Sequence, residues 1–475
     1  MKAYIKSNKY SFIVLIIMVL FTNSCKKEFL NREQYGALPT GDAITNENDM
    51  ETALNGTYAG LRDPDLYGRF VPLFGDLFAD NVYISAENSN RYLPFFQVNF
   101  TVNSLDVRDF WTASYNVILN ANNIINSSVE ESEQINQFKG EAHALRALIY
   151  FELVKHFAKP YTVNPNSLGV PIVLTYDPFA KPQRSTVSEV YTQIEADLTA
   201  AISLMTQERS SGYFSPSAAT ALLARMHQFK GEWDKALTAA ENVITNSDFR
   251  LVRLNEVLGY WSANTARTDK LETLFEVVFD QYGNADIDAL SYFYDQIGYG
   301  DALAAESLYQ LYAPQDVRKG LILPESPIRG DVRVVNKYPN TTEVDKDEVK
   351  IIRMSEVYLI AAEAAYQLGD ETLARNYLNA VATERVIGFS GYTSSGPALL
   401  EDILEERRKE LAFEGHRYWD LVRYNRDVVR EDVTGGEYTG VPLKIESSNF
   451  RRIFPIPQAE LDANPTIRGQ QNPGY

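Results

Sequence analysis

Cysteine is almost missing: one thiol, Cys25, serves 475 residues. A single thiol forms no internal disulfide, so packing alone must hold the fold. Histidine is nearly as scarce. His143, His156, His227 and His416 are the whole set, and none stands in a zinc-type spacing such as His-Glu-x-x-His, so no metal site is expected. Positive charge is in deficit, with 45 Lys and Arg against 63 Asp and Glu and a formal net charge of −18. That balance argues against nucleic acid, whose affinity comes from basic side chains displacing counterions. It equally disfavours electrostatic docking on anionic lipid. No Gly-x-Ser-x-Gly elbow and no phosphate-cradling glycine loop occurs, so no such nucleophile and no cofactor is expected. Long apolar runs are missing too, apart from residues 12–21, which fall short of the roughly 20 residues needed to cross a bilayer.

That short run has a context. Lys2, Lys6 and Lys9 precede it, and Thr22-Asn23-Ser24 separate it from Cys25. A basic lead, a short apolar stretch and small polar residues make a secretory signal. A thiolate is the group that would carry a lipid chain. The layout resembles a bacterial lipoprotein signal, in which the cysteine becomes the first mature residue and is acylated, although Thr22 stands where an aliphatic residue is usual. Plain secretion with an incidental thiol is the alternative. The reading divides the chain into a signal over residues 1–24, a tether over 25–45 and one body over 46–475, soluble and held to a membrane by lipid alone.

The body reads as mainly helical. Met50, Ala53, Leu54, Thr57, Tyr58 and Leu61 recur at helical spacing, as do Tyr115, Ile118, Leu119, Asn122 and Ile125, and Ala142, Leu145, Ile149 and Leu153. Thr186 and Glu189 form a capping box ahead of an apolar stripe. Ser215-Pro216 is a cap followed by a proline that starts a helix. Two helix-turn-helix units, turning at Gly231-Glu232 and Gly369-Asp370, carry small residues that let paired helices approach closely, in the manner of tetratricopeptide hairpins. Two stretches, at about 63–100 and 247–349, lose this periodicity and gain Gly, Pro and Tyr, which predicts loop-rich insertions where function tends to sit.

Residues 403–423 carry Arg407, Glu410, Glu414, Arg417 and Asp420, with the first four spaced three or four apart. On one helix these make a ladder of alternating charge. This stretch resembles the signature of the SusD/RagB family of surface lipoproteins. Glu141-Ala142, Leu145-Arg146-Ala147 and Tyr150-Phe151 resemble the family's early helix, and Gly169-Val170-Pro171 the segment after it. Arg353 to Leu359 with Ala362-Glu363-Ala364 resemble its central helix, and Pro455-Ile456-Pro457 with Gln471 to Tyr475 its close. The resemblance implies a helical body with four tetratricopeptide-like pairs. It also implies a lid on a SusC-like TonB-dependent transporter, lipid-anchored at the outer membrane and facing the cell surface, that captures oligosaccharide or polysaccharide for import.

A catalytic reading of Glu410 and Glu414 competes with this one. Four residues apart on a helix, they come within the roughly 5–5.5 Å of a retaining glycosidase pair. A general acid needs a raised pKa, whereas Arg407, Arg408 and Arg417 nearby favour the ionised form. Two groups on one helix also fail to flank a sugar ring. The expectation is a structural ion ladder in a protein that is not an enzyme.

The unusual abundance is aromatic: 29 Tyr, 24 Phe and 4 Trp. Sugar rings stack C–H faces on aromatic rings and need fixed polar partners for their hydroxyls, so exposed aromatics beside amides or Arg are the candidates. One cluster holds Tyr83, Asn88, Asn90, Arg91, Tyr92, Phe95 and Phe96. A second holds Tyr260, Trp261, Tyr282, Asn284, Tyr292, Tyr294 and Tyr299. Within these, Tyr92, Asn90, Arg91, Trp261, Tyr282, Tyr292 and Tyr294 are the candidate ligand contacts, and Phe95 and Phe96 are expected in the core. Peptide capture in the same fold, a surface glycosidase and a pure gating lid are the competing readings.

Overall fold

The computed structural model describes residues 43–475, apart from 178, 264–270, 281–282, 342–347 and 433–440. The signal segment, Cys25 and Tyr282 lie outside the described residues. Helices dominate, and the long ones are α1 (Glu47–Gly60), α2 (Leu105–Ile125), α3 (Glu133–Phe157), α4 (Val187–Leu204), α5 (Pro216–Lys230), α6 (Trp233–Asn246), α7 (Met354–Gln367), α8 (Glu371–Thr383) and α9 (Pro397–Glu410).

Their starts follow from local chemistry. Thr186 and Glu189 exchange side-chain and backbone hydrogen bonds ahead of α4, and the Ser215 side chain accepts from the Ala218 N–H ahead of Pro216 and α5. Helix α3 begins earlier than its apolar face predicts, because the Ser132 side chain caps it by accepting from the Ile135 N–H. It is buried along nearly its whole length and packs against both α2 and α4. From there the stack continues: α5 turns at Gly231 (φ +72°) onto α6, α6 packs on α7, and α7 turns at Gly369 (φ +87°) onto α8. Both turns need the left-handed backbone that glycine adopts without penalty. No helix among the described residues is long and apolar enough to cross a membrane.

The stretch 63–100 is more than a loop. It contributes the helix Phe70–Leu77, every residue of which is buried. Phe70, Phe74, Phe78, Phe95 and Phe100 join Phe454 and Tyr418 in an aromatic core. Two short strand pairs tie distant segments together. Strand β1 (Val82–Ile84) pairs antiparallel with β3 (Ala302–Ala304), with Tyr83 opposite Leu303. Strand β2 (Thr273–Val277) pairs antiparallel with β4 (Val349–Arg353), and both are fully buried.

The segment 403–423 departs from its expected form. Helix α9 ends at Glu410 and a new helix runs from Arg417 to Arg423. Between them Phe413 (φ +67°) and Gly415 (φ +82°) take left-handed conformations. Glu410 and Glu414 therefore do not share a helix, and the charged ladder is replaced by a folded-over turn.

Candidate functional site

The charges of that turn face inward. Glu410 accepts from Arg353, Arg385 and Arg318, each at 2.9 Å, and Glu414 accepts from Arg353 and Lys337 at 2.7 Å. Arg353 and Arg385 also bind Glu272. The pairing of β2 with β4 explains the meeting, since it delivers Glu272 and Arg353 to one point. Burial raises the pKa of Glu410, but Arg385, Arg353 and Arg318 outweigh it and hold the carboxyl well below its ordinary value. Burial likewise works against Glu414, and Arg353 and Lys337 keep it lowered. The expected direction is right and the expected partners are not. Arg407 instead binds Asp420 at 3.1 Å, Arg417 binds Asp80 at 2.7 Å, and Arg408 binds Asn81 at 2.8 Å. A carboxylate kept ionised and out of solvent is a poor general acid.

The aromatic candidates divide sharply. Tyr92 is buried against Phe70 and Phe293, and its hydroxyl accepts from Arg69 Nε at 2.8 Å. Tyr294 is 1% exposed and lies between Tyr338 and Phe413. Trp261 is 5% exposed and roofs the ion network, with Lys337 Nζ 4.1 Å from the centre of its ring and the Arg353 guanidinium 5.0 Å away. These three rings pack inside the protein and present no stacking face to solvent. A Tyr hydroxyl suits a half-exposed surface, yet in Tyr92 a buried partner satisfies it. Phe95 and Phe96 are buried, as expected.

Asn90, Arg91 and Tyr292 are different. The pairing of β1 with β3 places the loop after β1 beside the segment before β3, so Arg91 of the first cluster meets Tyr299 of the second at one rim. Asn90 is exposed there, with a left-handed backbone (φ +65°), and Arg91 and Tyr292 are half-buried. The Arg91 guanidinium lies 3.8 Å from the centre of the Tyr299 ring and donates to the Tyr299 hydroxyl at 2.8 Å. Tyr292 meets Tyr299 edge to face, with centroids 5.1 Å apart. The Tyr299 N–H donates to the Tyr292 carbonyl at 3.1 Å, which closes the tight loop through Gly298.

The rim is braced from below. Asp301, 1% exposed, accepts from the Ser89 N–H at 2.9 Å and from the Ser89 hydroxyl, while its carbonyl accepts from the Ser85 N–H at 2.7 Å. Arg329 donates to Gln296 Oε1 at 2.7 Å and to the Glu87 carbonyl at 3.1 Å, which binds a third segment to the same rim. Ile297 (82% exposed) and Ile328 (60% exposed) add apolar surface. Arg329 and Asp301 escape a reading of the sequence because neither stands in an aromatic cluster.

Glu195, His227 and Glu232 bring ligand atoms close enough to hold an ion. Lys230 and Lys235 already bridge both carboxylates, at 2.8 to 3.3 Å, which makes the group an ion-pair cluster.

The fold is a stack of helix pairs that carries a braced aromatic and polar rim on its loops. Residues 328–475 match the SusD family, and residues 28–227 match a family described as starch-binding associating with outer membrane. A SusD superfamily protein of Bacteroides thetaiotaomicron is 32% identical, with a TM-score of 0.83 covering 90% of this chain and 100% of that one. SusD-like protein P2 of Formosa agariphila is 26% identical over 532 residues, 99% of this chain and 100% of its own length. A laminarin-binding SusD-like protein is 25% identical, with a TM-score of 0.72 over 91% of this chain and 100% of that one. The chain belongs to the SusD family.

Proposed function

We propose that the protein is a non-catalytic glycan receptor, anchored to the outer membrane through lipid on Cys25, that captures oligosaccharide and passes it to a SusC-like TonB-dependent transporter. The observation that carries this reading is the rim itself: Asn90, Arg91, Tyr292 and Tyr299 come from two distant segments and form one half-exposed polar and aromatic surface. Such a surface offers ring faces to sugar C–H groups and fixed donors to hydroxyls. The laminarin-binding relative supports a glycan as the ligand class. Against catalysis stands the burial of Glu410 and Glu414 under paired cations.

The test is a binding panel on purified protein with laminarin, starch oligosaccharides and extended peptides, repeated with Tyr299→Ala. An aromatic stacking contact contributes about 0.5–1.5 kcal/mol beyond area burial. With the Arg91 contact also lost, Tyr299→Ala should weaken glycan binding roughly tenfold. Peptide binding without glycan binding, or release of free sugar by the purified protein, refutes the reading.

A further inference from the structure

A second cavity lies away from this rim, and none of its lining residues comes from the β1 or β3 loops. It has a volume of about 350 Å³ and is lined by the chain that leaves α3, by Val422 and Asn425, by residues 447–450 and 452–453, and by Pro473. That volume falls in the range of roughly 300–1,000 Å³ in which ligand pockets occur. Its charge is opposite to that of the molecule. In a chain with net charge −18, the lining holds Lys155, Lys159 and Arg452 and no carboxylate.

The Lys155 ammonium turns inward to Glu152 at 2.8 Å, so two cations remain. Lys159 and Arg452 make no ion pair among the described residues, and the Arg452 guanidinium lies 5.9 Å from the centre of the Tyr418 ring. An ammonium and a guanidinium that line one cavity without a carboxylate favour an anionic oxygen there. The lining also holds the apolar side chains of Val163, Phe450 and Ile453. Asn425 adds an exposed amide on a left-handed backbone (φ +48°).

We infer that this cavity is a separate site for an anionic saccharide unit. The anionic group sits against Arg452 and Lys159, a hydroxyl meets Asn425, and the C–H face of the ring lies on Val163 and Ile453. A neutral sugar would leave the two cations without a counter-charge, and a bare inorganic anion would leave the apolar lining unused. A uronate carboxylate and a sulfate ester share the required chemistry.

The test is titration calorimetry on the purified full-length protein with glucuronate and with glucose 6-sulfate, beside glucose and inorganic sulfate. At least one charged sugar should bind ten or more times tighter than glucose and than sulfate, and comparison of the two identifies the anionic group. Arg452→Gln should reduce that binding at least tenfold. Lys159→Gln, a change on an exposed side chain, should reduce it severalfold, which keeps the test valid if Arg452→Gln unfolds. Val163→Asp, which puts a carboxylate on the cavity wall, should abolish it. Glucose binding as tightly as both charged sugars, sulfate as tight as the charged sugars, or a folded Lys159→Gln and Val163→Asp with full affinity would each overturn the inference.

Discussion

Gly75 and Gly415 meet backbone to backbone. A Cβ built on Gly75 would fall inside the contact radius of the Gly415 carbonyl, and one on Gly415 would sit 2.7 Å from the Val71 carbonyl oxygen. The neighbouring Asp76 carboxylate accepts from the Gly415 N–H at 2.7 Å, which fixes the approach. This contact is where the signature segment folds over. Gly75→Ala has no flexible side chain to displace and should lower unfolding free energy by about 3 kcal/mol, as overpacking at a tight site does. Gly56 is exposed within α1 with nothing within 4 Å, so Gly56→Ala should instead stabilise by about 0.5–1 kcal/mol. Urea unfolding midpoints of the two variants check both signs, and equal shifts would contradict this account of the close approach.

Glu410 gives a sharper separation of structure from chemistry. Its carboxylate neutralises parts of three buried guanidinium groups. Glu410→Gln leaves an excess of buried positive charge, and breaking a buried pair from one side costs about 3–5 kcal/mol. The expected result is a large fall in melting temperature with no distinct loss of a reaction. An unchanged melting temperature together with loss of glycan hydrolysis would restore the catalytic reading.

What the residues announce in advance follows a physical divide. Caps and turns are local, so Thr186 with Glu189, Ser215-Pro216, Gly231 and Gly369 are legible at their own positions. The partners of Glu410 are not, because Arg318, Arg353 and Arg385 lie between 25 and 92 residues away and meet it through tertiary packing. The break at Phe413 and Gly415 is hidden for the same reason: the helical spacing of the charges continues across it, while Gly75 imposes the turn from another segment. The aromatic clusters stand out in the sequence, but their registry does not. Only the pairing of Tyr83 with Leu303 shows that Asn90 and Tyr292 share a rim, and only packing shows that Tyr92 and Tyr294 face inward.

Two buried groups set opposing pH dependences. Burial pulls His156 down from 6.5 to about 4, against the pull of Glu152. Below pH 6.5 the unfolded chain takes up the proton and the folded chain does not, so this contribution is present above 6.5 and is lost as pH falls toward 4. Burial pushes Asp76 the other way, up to about 6 from 3.8. Its contribution is complete below pH 3.8 and is lost as pH rises through 6. His156→Phe should therefore flatten the loss of stability between pH 6.5 and 4, with a difference on the order of 3 kcal/mol across that window. Denaturant titrations at pH 7 and pH 4.5 measure it, and an identical pH slope in the variant would remove His156 from the account.

Asp301 is the positioning residue of the rim. It is buried, yet it holds the Ser89 N–H and hydroxyl and, through its carbonyl, the Ser85 N–H. With Asp301→Ala, Ser89 loses both partners and the loop carrying Asn90 and Arg91 must be ordered by the ligand. Losing hydrogen bonds of this kind costs about 1–2 kcal/mol, which corresponds to roughly tenfold weaker glycan binding. Asp301→Asn keeps an oxygen to accept from the Ser89 N–H and should recover most of the affinity. A purely structural role would move the melting temperature and leave affinity alone, so the measurement is binding and melting on both variants. Equal affinity in Asp301→Ala, Asp301→Asn and the parent protein would mean that the loop keeps its shape without this carboxylate.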